Sequence, residues 1–137
     1  MKTGYNTNLA AEFHVMSVLH RLGADAGLTL GNKKAVDIAV IRGKGKAFTI
    51  DVKGLAGTTC WPVDNFRGGK PGHFLVLVCY RGRIDDPGEA PEVYVVPSQQ
   101  IDELMYHAPR SGRRVIQLAE MRKRGSRYRD RWKLLMQ

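Results

Sequence analysis

The sequence has few of the features that mark secreted, membrane-spanning or nucleotide-binding proteins. Its 137 residues include two cysteines, Cys60 and Cys79, too few and too poorly spaced for a disulfide framework or a zinc site. No apolar run approaches the length of a membrane span, and the N-terminus lacks the basic-then-apolar layout of a signal peptide. Walker and GxGxxG loops are absent, and the four histidines lack metal-site spacing, so we expect them to be structural or on the surface. We therefore expect a single soluble, cytoplasmic domain with reduced thiols.

Positive charge is abundant, and it is unevenly placed along the chain. The net charge is +9, and residues 110–137 contribute +8 of it, from ten Lys or Arg against two Asp or Glu. A basic segment of this kind predicts a phosphate-bearing partner, nucleic acid in preference to an anionic membrane. The alternative is a basic tail that serves solubility alone. Within this segment, the residues we expect to contact nucleic acid are Arg113, Arg114, Arg122, Lys123 and Arg124.

Apolar periodicity predicts an α/β fold with a mixed central β-sheet flanked by helices. Apolar residues at three- and four-residue spacing predict a first helix over residues 7–22, with Thr7 or Asn8 as its cap. Strands are predicted over residues 24–30, within 35–53, over 74–80 with both faces buried, over 92–96, and at an edge over 113–118. Further helices are expected from Ser98 to about Tyr106, over 118–124 and after Ser126.

Residues 35–53 carry the most informative pattern, two alternating runs on either side of Gly43-Lys44-Gly45. This period of two with a glycine-rich break predicts a β-hairpin. With Lys44 at the tip, the expected cross-strand pairs are Val36–Val52, Ile38–Ile50 and Val40–Phe48. One face of the hairpin is then wholly apolar. On the other face Asp37 is expected opposite Asp51, with Lys53 one pleat further on.

Two facing carboxylates require a cation between them. Like charges directly opposite on a sheet are unfavourable by roughly 0.2–1 kcal/mol, and a one-residue slip would bury the carboxylates. Lys53 can supply one positive charge and a divalent metal two, and paired carboxylate oxygens suit Mg²⁺. The alternative is a solvated outer face with an ordinary Lys–Asp contact. Glu12, inside the apolar stripe of the first helix, is either solvated at the edge of that stripe or directed at this charged face.

Residues 54–72 form a segment rich in Gly and Pro that is too long for an ordinary connection. We therefore expect it to be functional or mobile. It carries Trp61, Phe66, Arg67 and Lys70, side chains that can stack on or flank a nucleic-acid strand. The alternative is that the two aromatic residues hold the segment onto the core.

The order of these elements resembles the PD-(D/E)xK nuclease superfamily, which includes restriction endonucleases and archaeal-type Holliday-junction resolvases. The matching pieces are Glu12 on the first helix, Val36-Asp37, and Asp51-Val52-Lys53 after thirteen intervening residues. Val36 stands where the proline that gives the family its name would be. The resemblance covers residues 7 to about 100. It implies a restriction-endonuclease-like core over residues 1–109, followed by a basic extension over 110–137.

The resemblance implies a metal-dependent DNA endonuclease, either restriction-like or junction-resolving. Asp37, Asp51 and the Val52 carbonyl would hold Mg²⁺, for which Mn²⁺ would substitute. Glu12 would complete the metal shell, directly or through water, or help a second ion. Lys53 would orient or deprotonate the attacking water, or stabilise the pentacovalent phosphate. Cutting both strands of a duplex usually needs two active sites, which is compatible with a homodimer. The alternative from another class is a catalytically silent nucleic-acid-binding module that retains the fold.

Overall fold

The computed structural model describes residues 6–29, 37–41, 45, 47–66 and 68–136. Its helices and strands are α1 (Thr7–Arg21), β1 (Asp25–Leu28), β2 (Ile38–Ile41), β3 (Ala47–Leu55), β4 (Cys60–Pro62), β5 (His73–Cys79), β6 (Glu92–Pro97), β7 (Tyr106–His107), β8 (Arg114–Gln117) and α2 (Leu118–Lys123). Short 3-10 turns occupy Ser98–Gln100, Asp102–Leu104, Ser126–Tyr128 and Trp132–Leu135. These turns replace the longer helices predicted after Ser98 and Ser126, and that part of the prediction was wrong. Over the described ranges, no helix has the length and apolar character needed to cross a membrane.

A five-stranded mixed sheet in the order β1-β2-β3-β5-β6 forms the centre of the fold. β1, β2 and β3 pair antiparallel, β3 and β5 pair parallel, and β5 and β6 pair antiparallel. All seven residues of β5 are buried, which explains the continuous apolar sequence of this strand after its first residue. The predicted α/β fold with a mixed central sheet is therefore confirmed.

Different elements cover the two faces of the main sheet. α1 packs on one face, where Ala11, Val15 and Leu19 join Ile50 and Val52 of β3 in one core. A small sheet in the order β4-β8-β7, together with α2, contributes to a second core on the opposite face. β8 is the central strand of this small sheet, so its prediction as an edge strand was wrong. Because successive side chains of a strand point to opposite faces, the odd-numbered residues of β3 project away from α1.

α1 buries a narrower stripe than its sequence predicts. The buried positions recur every four residues, at Ala11, Val15 and Leu19. Leu9 and Phe13, which belong to the predicted stripe, are 48% and 54% exposed. Small or β-branched residues therefore form most of the contact, and they bring the helix close to the sheet.

The N-terminal turn of α1 lies against β3 at Gly54. A Cβ atom at Gly54 would lie only 2.7 Å from the carbonyl oxygen of Thr7, so this approach requires glycine. Asn8, predicted as a possible helix cap, instead accepts the Gly54 N–H through its Oδ1 at 2.7 Å. The N-cap residue is Asn6, which makes no side-chain capping bond. The start of α1 is therefore fixed by a tertiary contact.

Much of the segment predicted as a long loop is structured. It contains the end of β3 and all of β4, and β4 pairs with β8. Trp61 is fully buried and donates its indole N–H to the carbonyl of Val78 at 3.1 Å. Phe66 packs, partly buried, against the same core. The interpretation that these aromatic residues hold the segment onto the core is confirmed, and Trp61 is not exposed for stacking on nucleic acid.

The C-terminal segment packs along β6, the last strand of the main sheet. The Asp130 N–H donates to the carbonyl of Val93 at 3.0 Å, and Tyr94 forms an isolated bridge with Arg129. Leu135 is buried in the core on the α1 side. These contacts cover the backbone edge of β6, which would otherwise be open to pairing with another chain.

Candidate active site

The register predicted for the hairpin is confirmed where β2 and β3 pair. The pairs Ile38–Ile50 and Val40–Phe48 form as expected, whereas Val36 and the predicted tip at Lys44 lie outside the described residues. The ladder of paired residues ends at Ile38. One residue earlier, the Asp37 N–H donates to the carbonyl of Ile50 at 2.9 Å. Asp37 therefore enters the site beside the end of the ladder, and its side chain turns towards β3.

β3 extends beyond the end of β2. Along this part of its edge, backbone N–H groups of β3 bond to side chains instead of to a neighbouring strand. The Val52 N–H donates to Oδ2 of Asp37 at 2.7 Å. Two residues further on, the Gly54 N–H is bonded to Asn8. Because the N–H and C=O of one strand residue point to the same edge, the Val52 carbonyl lies on this edge between those two N–H groups. The Asp37 carboxylate is thus fixed on the edge that also carries the Val52 carbonyl.

The backbone of Asp37 is held as firmly as its side chain. Its carbonyl accepts the Thr29 N–H at 2.9 Å, on the side facing β1. The hydrogen bonds to Thr29, Ile50 and Val52 together fix the residue between the first and third strands. Asp37 is therefore preorganised rather than carried on an unsupported loop.

Asp51 projects from β3 on the face away from α1, next to a buried histidine. The Asp51 side chain is 29% exposed, and its Oδ2 lies 3.3 Å from Nε2 of His73. The Nδ1 atom of the same ring lies 2.7 Å from Oγ1 of Thr49. His73 begins β5 and is paired with Thr49 in the parallel ladder. The sequence alone does not indicate His73, and the feature that could have pointed to it is a polar residue at the head of a fully buried strand.

Lys53 projects from the face of the sheet opposite to the one covered by α1, the helix that carries Glu12. Lys53 is partly exposed and shares the face of Asp51, as the alternation of the strand requires. Glu12 is partly exposed on α1, which covers the other face. Across the described residues, no three or more His, Cys, Asp or Glu side chains form a group that could hold a metal ion. Glu12 therefore does not complete a ready-made three-carboxylate set with Asp37 and Asp51.

Two of the arginines predicted to contact nucleic acid bind Asp64 in the segment after β4. Nη2 of Arg113 lies 3.0 Å from Oδ2 of Asp64, and the Arg114 N–H donates to Oδ1 at 2.8 Å. The backbone bond from Arg114, and then the side-chain bond from Arg113, lower the pKa of the Asp64 carboxyl. The Arg114 guanidinium also donates to the carbonyls of Asp64 and Phe66. Both arginines therefore tie this segment to β8.

Arg122 and Arg124 of the basic segment also have protein partners. Arg122 donates Nε–H to Oε2 of Glu92 at 3.0 Å and Nη2–H to Oε1 at 2.9 Å. Arg124 donates from Nη1 to Oε2 of Glu120 at 2.8 Å, across one turn at the end of α2. The charge of these side chains is consequently offset within the protein before any nucleic acid is bound.

Lys70 and Lys123 are exposed, and neither pairs with an acidic side chain in the part of the chain that the structure describes. The backbone of Lys70 is fixed, because its N–H donates to the Ser98 hydroxyl and that hydroxyl donates to the Lys70 carbonyl, both at 3.0 Å. Lys70 precedes His73 by three residues, which places it in the turn leading to the Asp51 site. Arg67, the remaining predicted contact, lies outside the described residues.

Glu92 is the most deeply buried carboxylate described, with a side chain that is 3% exposed. The bonds from Arg122 are the largest influence on its pKa, which is held at about 2 although burial alone would raise it. The Tyr94 hydroxyl donates to Oε2 of Glu92, and burial with this bond raises the Tyr94 pKa to about 12. Arg129 lies 3.9 Å from the same oxygen. The cluster joins β6 to α2 and to the C-terminal segment.

No family model and no curated protein matches the sequence. Among solved structures, the fold is similar to that of the bacterial homing endonuclease I-Ssp6803I, with a TM-score of 0.63 and 18% sequence identity. The similarity extends over 99% of this chain and 93% of that chain. At this level of identity the likeness establishes the fold, an α/β arrangement that an endonuclease also adopts.

Proposed function

We propose that this protein is a metal-dependent endonuclease of the PD-(D/E)xK type that hydrolyses phosphodiester bonds in DNA. The observation that carries the proposal is the Asp37 carboxylate bonded to the Val52 N–H. That bond brings Asp37 to the part of β3 that carries Asp51 and Lys53. The similarity of the fold to a homing endonuclease supports the same assignment.

The donor atoms carried by and bonded to this part of β3 are of the kind that fits a hard divalent cation. Carboxylate oxygens of Asp37 and Asp51 and the Val52 carbonyl are the ligand types that Mg²⁺ prefers, and Mn²⁺ accepts similar donors. Mg²⁺ is commonly held by one or two carboxylates with water and substrate phosphates, so a third protein carboxylate is not required. When bound, the ion would make water a stronger nucleophile and offset negative charge on the phosphate.

Lys53 is the residue we propose to act on the attacking water. The oxygen of that water forms a bond to phosphorus while the bond to the leaving oxygen breaks, in an in-line displacement without a covalent enzyme intermediate. Lys53 shares the face of Asp51. Its amine can therefore orient or deprotonate the water, or its ammonium can stabilise the pentacovalent phosphate. Glu12 on α1 would complete the shell of the ion, directly or through water, or help a second ion.

Nucleic acid is the partner that the charge favours, and Lys70 is a predicted contact in the turn that leads to His73 and β5. Its backbone is fixed by Ser98, so an exposed ammonium is held in the turn that precedes β5. A phosphate bound by Lys70 would lie on the strand to be cleaved. A homodimer would supply one such site for each strand of a duplex.

A nucleic-acid-binding module without catalytic activity is the second candidate. It is favoured by the lack of a group of three metal-binding side chains among the described residues. Such a module would bind DNA without cleaving it and would gain no stability from Mg²⁺.

Cleavage assays with Mg²⁺ over linear duplex, single-stranded and branched DNA test the proposal. We expect the wild-type protein to cut at least one substrate, and Asp51→Asn to reduce the rate by orders of magnitude because a metal ligand loses its charge. Asp85→Asn, in the exposed turn before β6, is the matched control and should retain wild-type activity. Glu12→Gln in the same assay measures the contribution of α1. Equal cleavage by wild type and Asp51→Asn would overturn the proposed site.

A further inference from the structure

We propose that His73 is a positioning residue that holds the Asp51 carboxylate in the orientation needed to bind a divalent metal. The inference rests on the proposed function, because it takes Asp51 to be a metal ligand. It assigns a role to a buried histidine that the cleavage mechanism does not otherwise use. A hydrogen-bonded route connects the Thr49 hydroxyl, through the imidazole ring of His73, to the Asp51 carboxylate.

The ring lies between two polar groups of β3. His73 is 7% exposed, so its two nitrogens must find their partners within the protein. Nδ1 lies 2.7 Å from Oγ1 of Thr49, and Nε2 lies 3.3 Å from Oδ2 of Asp51. Thr49 and Asp51 are two residues apart on one strand and therefore project on the same face. One imidazole spans the distance between them from the neighbouring strand.

The partners determine which nitrogen carries the proton. A carboxylate only accepts hydrogen bonds, so Nε2 must donate to Asp51. In the neutral ring Nδ1 is then the acceptor, and the Thr49 hydroxyl donates to it. Thr49 therefore selects the tautomer that directs an N–H at Asp51. This arrangement resembles the way outer hydrogen bonds orient ligands at established metal sites.

The backbone fixes the ring as firmly as its hydrogen bonds do. The Thr49 N–H donates to the carbonyl of Gly72 at 2.9 Å, which attaches the residue before His73 directly to β3. Gly72 has a φ of +73°, a conformation that glycine adopts without strain and that turns the chain into β5. The position of the ring relative to Asp51 is thus set by strand pairing.

Two substitutions at His73 separate positioning from packing. His73→Met fills a similar volume but removes both nitrogens, whereas His73→Gln keeps an amide N–H donor near the position of Nε2. The control is His20→Met, because the His20 ring is bonded to the carbonyl of Ala26 in β1, at 2.9 Å from Nε2. Mn²⁺ affinity by calorimetry and cleavage rate at saturating Mn²⁺ are measured for each protein, with metal-free DNA affinity and melting temperature as checks on folding.

We expect His73→Met to weaken Mn²⁺ binding or reduce cleavage by about 10–100-fold, as loss of an outer-shell partner does at known sites. His73→Gln should recover part of that loss, and His20→Met should behave as wild type. Metal-free DNA affinity should be unchanged in all three. A residue that only fills space would give the opposite ranking, with the apolar Met tolerated better than Gln.

Thr49→Val provides an independent test of the positioning role if His73→Met does not fold. It removes the hydroxyl with little change of shape, and we expect a smaller loss of Mn²⁺ affinity than in His73→Met. In a foldable His73→Met background Thr49→Val should have no further effect, because both changes break the same route. Wild-type Mn²⁺ affinity in Thr49→Val, or a further loss of affinity when Thr49→Val is added to a folded His73→Met variant, would contradict positioning through this hydrogen-bonded route.

Failure of this inference differs from failure of the proposed function. If wild type binds Mn²⁺ and cleaves DNA while His73→Met or, where that variant does not fold, Thr49→Val matches it, positioning is overturned and the nuclease proposal stands. If wild type neither binds Mn²⁺ nor cleaves any substrate, both are overturned.

Discussion

Asp51 and Glu92 are carboxylates on strands of the same sheet, and their partners differ in kind. Glu92 is 3% exposed and receives two bonds from the Arg122 guanidinium, which holds its pKa at about 2. The Asp51 side chain is 29% exposed, and its Oδ2 lies 3.3 Å from Nε2 of the His73 imidazole. A guanidinium always carries a full positive charge, whereas an imidazole does so only when protonated. The charge of Glu92 is therefore offset inside the protein by Arg122, whereas Asp51 is the carboxylate that we propose binds a metal ion.

The same comparison changes the interpretation of the basic segment. Its net charge predicts phosphate binding, yet Arg113, Arg122 and Arg124 are paired with Asp64, Glu92 and Glu120. The first two pairs hold β8 and α2 in place, and the third spans one turn at the end of α2. Much of the segment's charge thus serves the fold, and the residues left for phosphate are those with no such partner.

Among substitutions near Asp51, Lys53→Ala should have the largest effect on the cleavage rate. Removing the amine that acts on the attacking water should lower the cleavage rate by about 10²–10⁴-fold. Thermal stabilisation by Mg²⁺ should persist, because the carboxylates remain. Single-turnover cleavage and melting curves with and without Mg²⁺ measure the two properties separately. Loss of both together would show that Lys53 supports the site's structure rather than its chemistry.

Among substitutions near Glu92, Arg122→Met should have the largest effect on the stability of the fold. It leaves the buried Glu92 carboxylate with a weaker set of partners, which should reduce the free energy of unfolding. Lys123→Met, the exposed neighbour on α2, should be nearly neutral. Urea denaturation measures both variants. Equal stability of the two would contradict the structural role assigned to the Glu92 cluster.

Glu92→Gln tests the same cluster through pH. The folded-state pKa of about 2 lies below the ordinary value of 4.5, so ionised Glu92 stabilises the folded protein. That contribution, about 2 kcal/mol, is complete above pH 4.5 and is lost as the pH falls towards 2. The difference in unfolding free energy between wild type and Glu92→Gln should shrink over this window. A difference that stays constant from pH 6 to pH 2.5 would contradict the charged pair.

The smallest expected effect concerns salt-dependent DNA binding. Lys70→Ala and Lys123→Ala should each reduce the slope of log affinity against log salt by about 0.9 for every lost phosphate contact. Arg113→Ala should change the slope less, since Arg113 is paired with Asp64. Fluorescence anisotropy over a salt series, without metal, measures the slopes. A larger change in Arg113→Ala would mean that this arginine exchanges Asp64 for phosphate on binding.

Local sequence patterns predict the elements that local interactions determine. The spacing of apolar residues gives α1, and alternation gives the register Ile38–Ile50, because one face of the hairpin must be buried. The short strands β4 and β7 are not predictable in this way, since they depend on partners far along the chain. β4 is held by burial of Trp61 and by pairing with β8.

The residues of the candidate site fall into the same two groups, those that local patterns predict and those that depend on distant partners. Asp37, Asp51 and Lys53 follow from the alternation of the hairpin. The contact of His73 with Asp51 crosses 22 residues and depends on the parallel pairing of β3 with β5, which the sequence does not specify. The pairing of Arg122 with Glu92 crosses 30 residues. Charge counting alone cannot distinguish such an arginine from one that is available to phosphate.

The most direct test asks whether a divalent metal ion binds beside Asp51. MnCl₂ and MgCl₂ are titrated calorimetrically into three metal-free proteins: wild type, Asp51→Asn and Glu92→Gln. We expect saturable binding in wild type and in Glu92→Gln, since Glu92 is paired with Arg122. Binding by Asp51→Asn should be at least tenfold weaker. Melting temperatures should follow, because a ligand at one hundred times its Kd stabilises the folded state by about 2.7 kcal/mol. Wild-type affinity in Asp51→Asn, or no binding in wild type, would contradict the account.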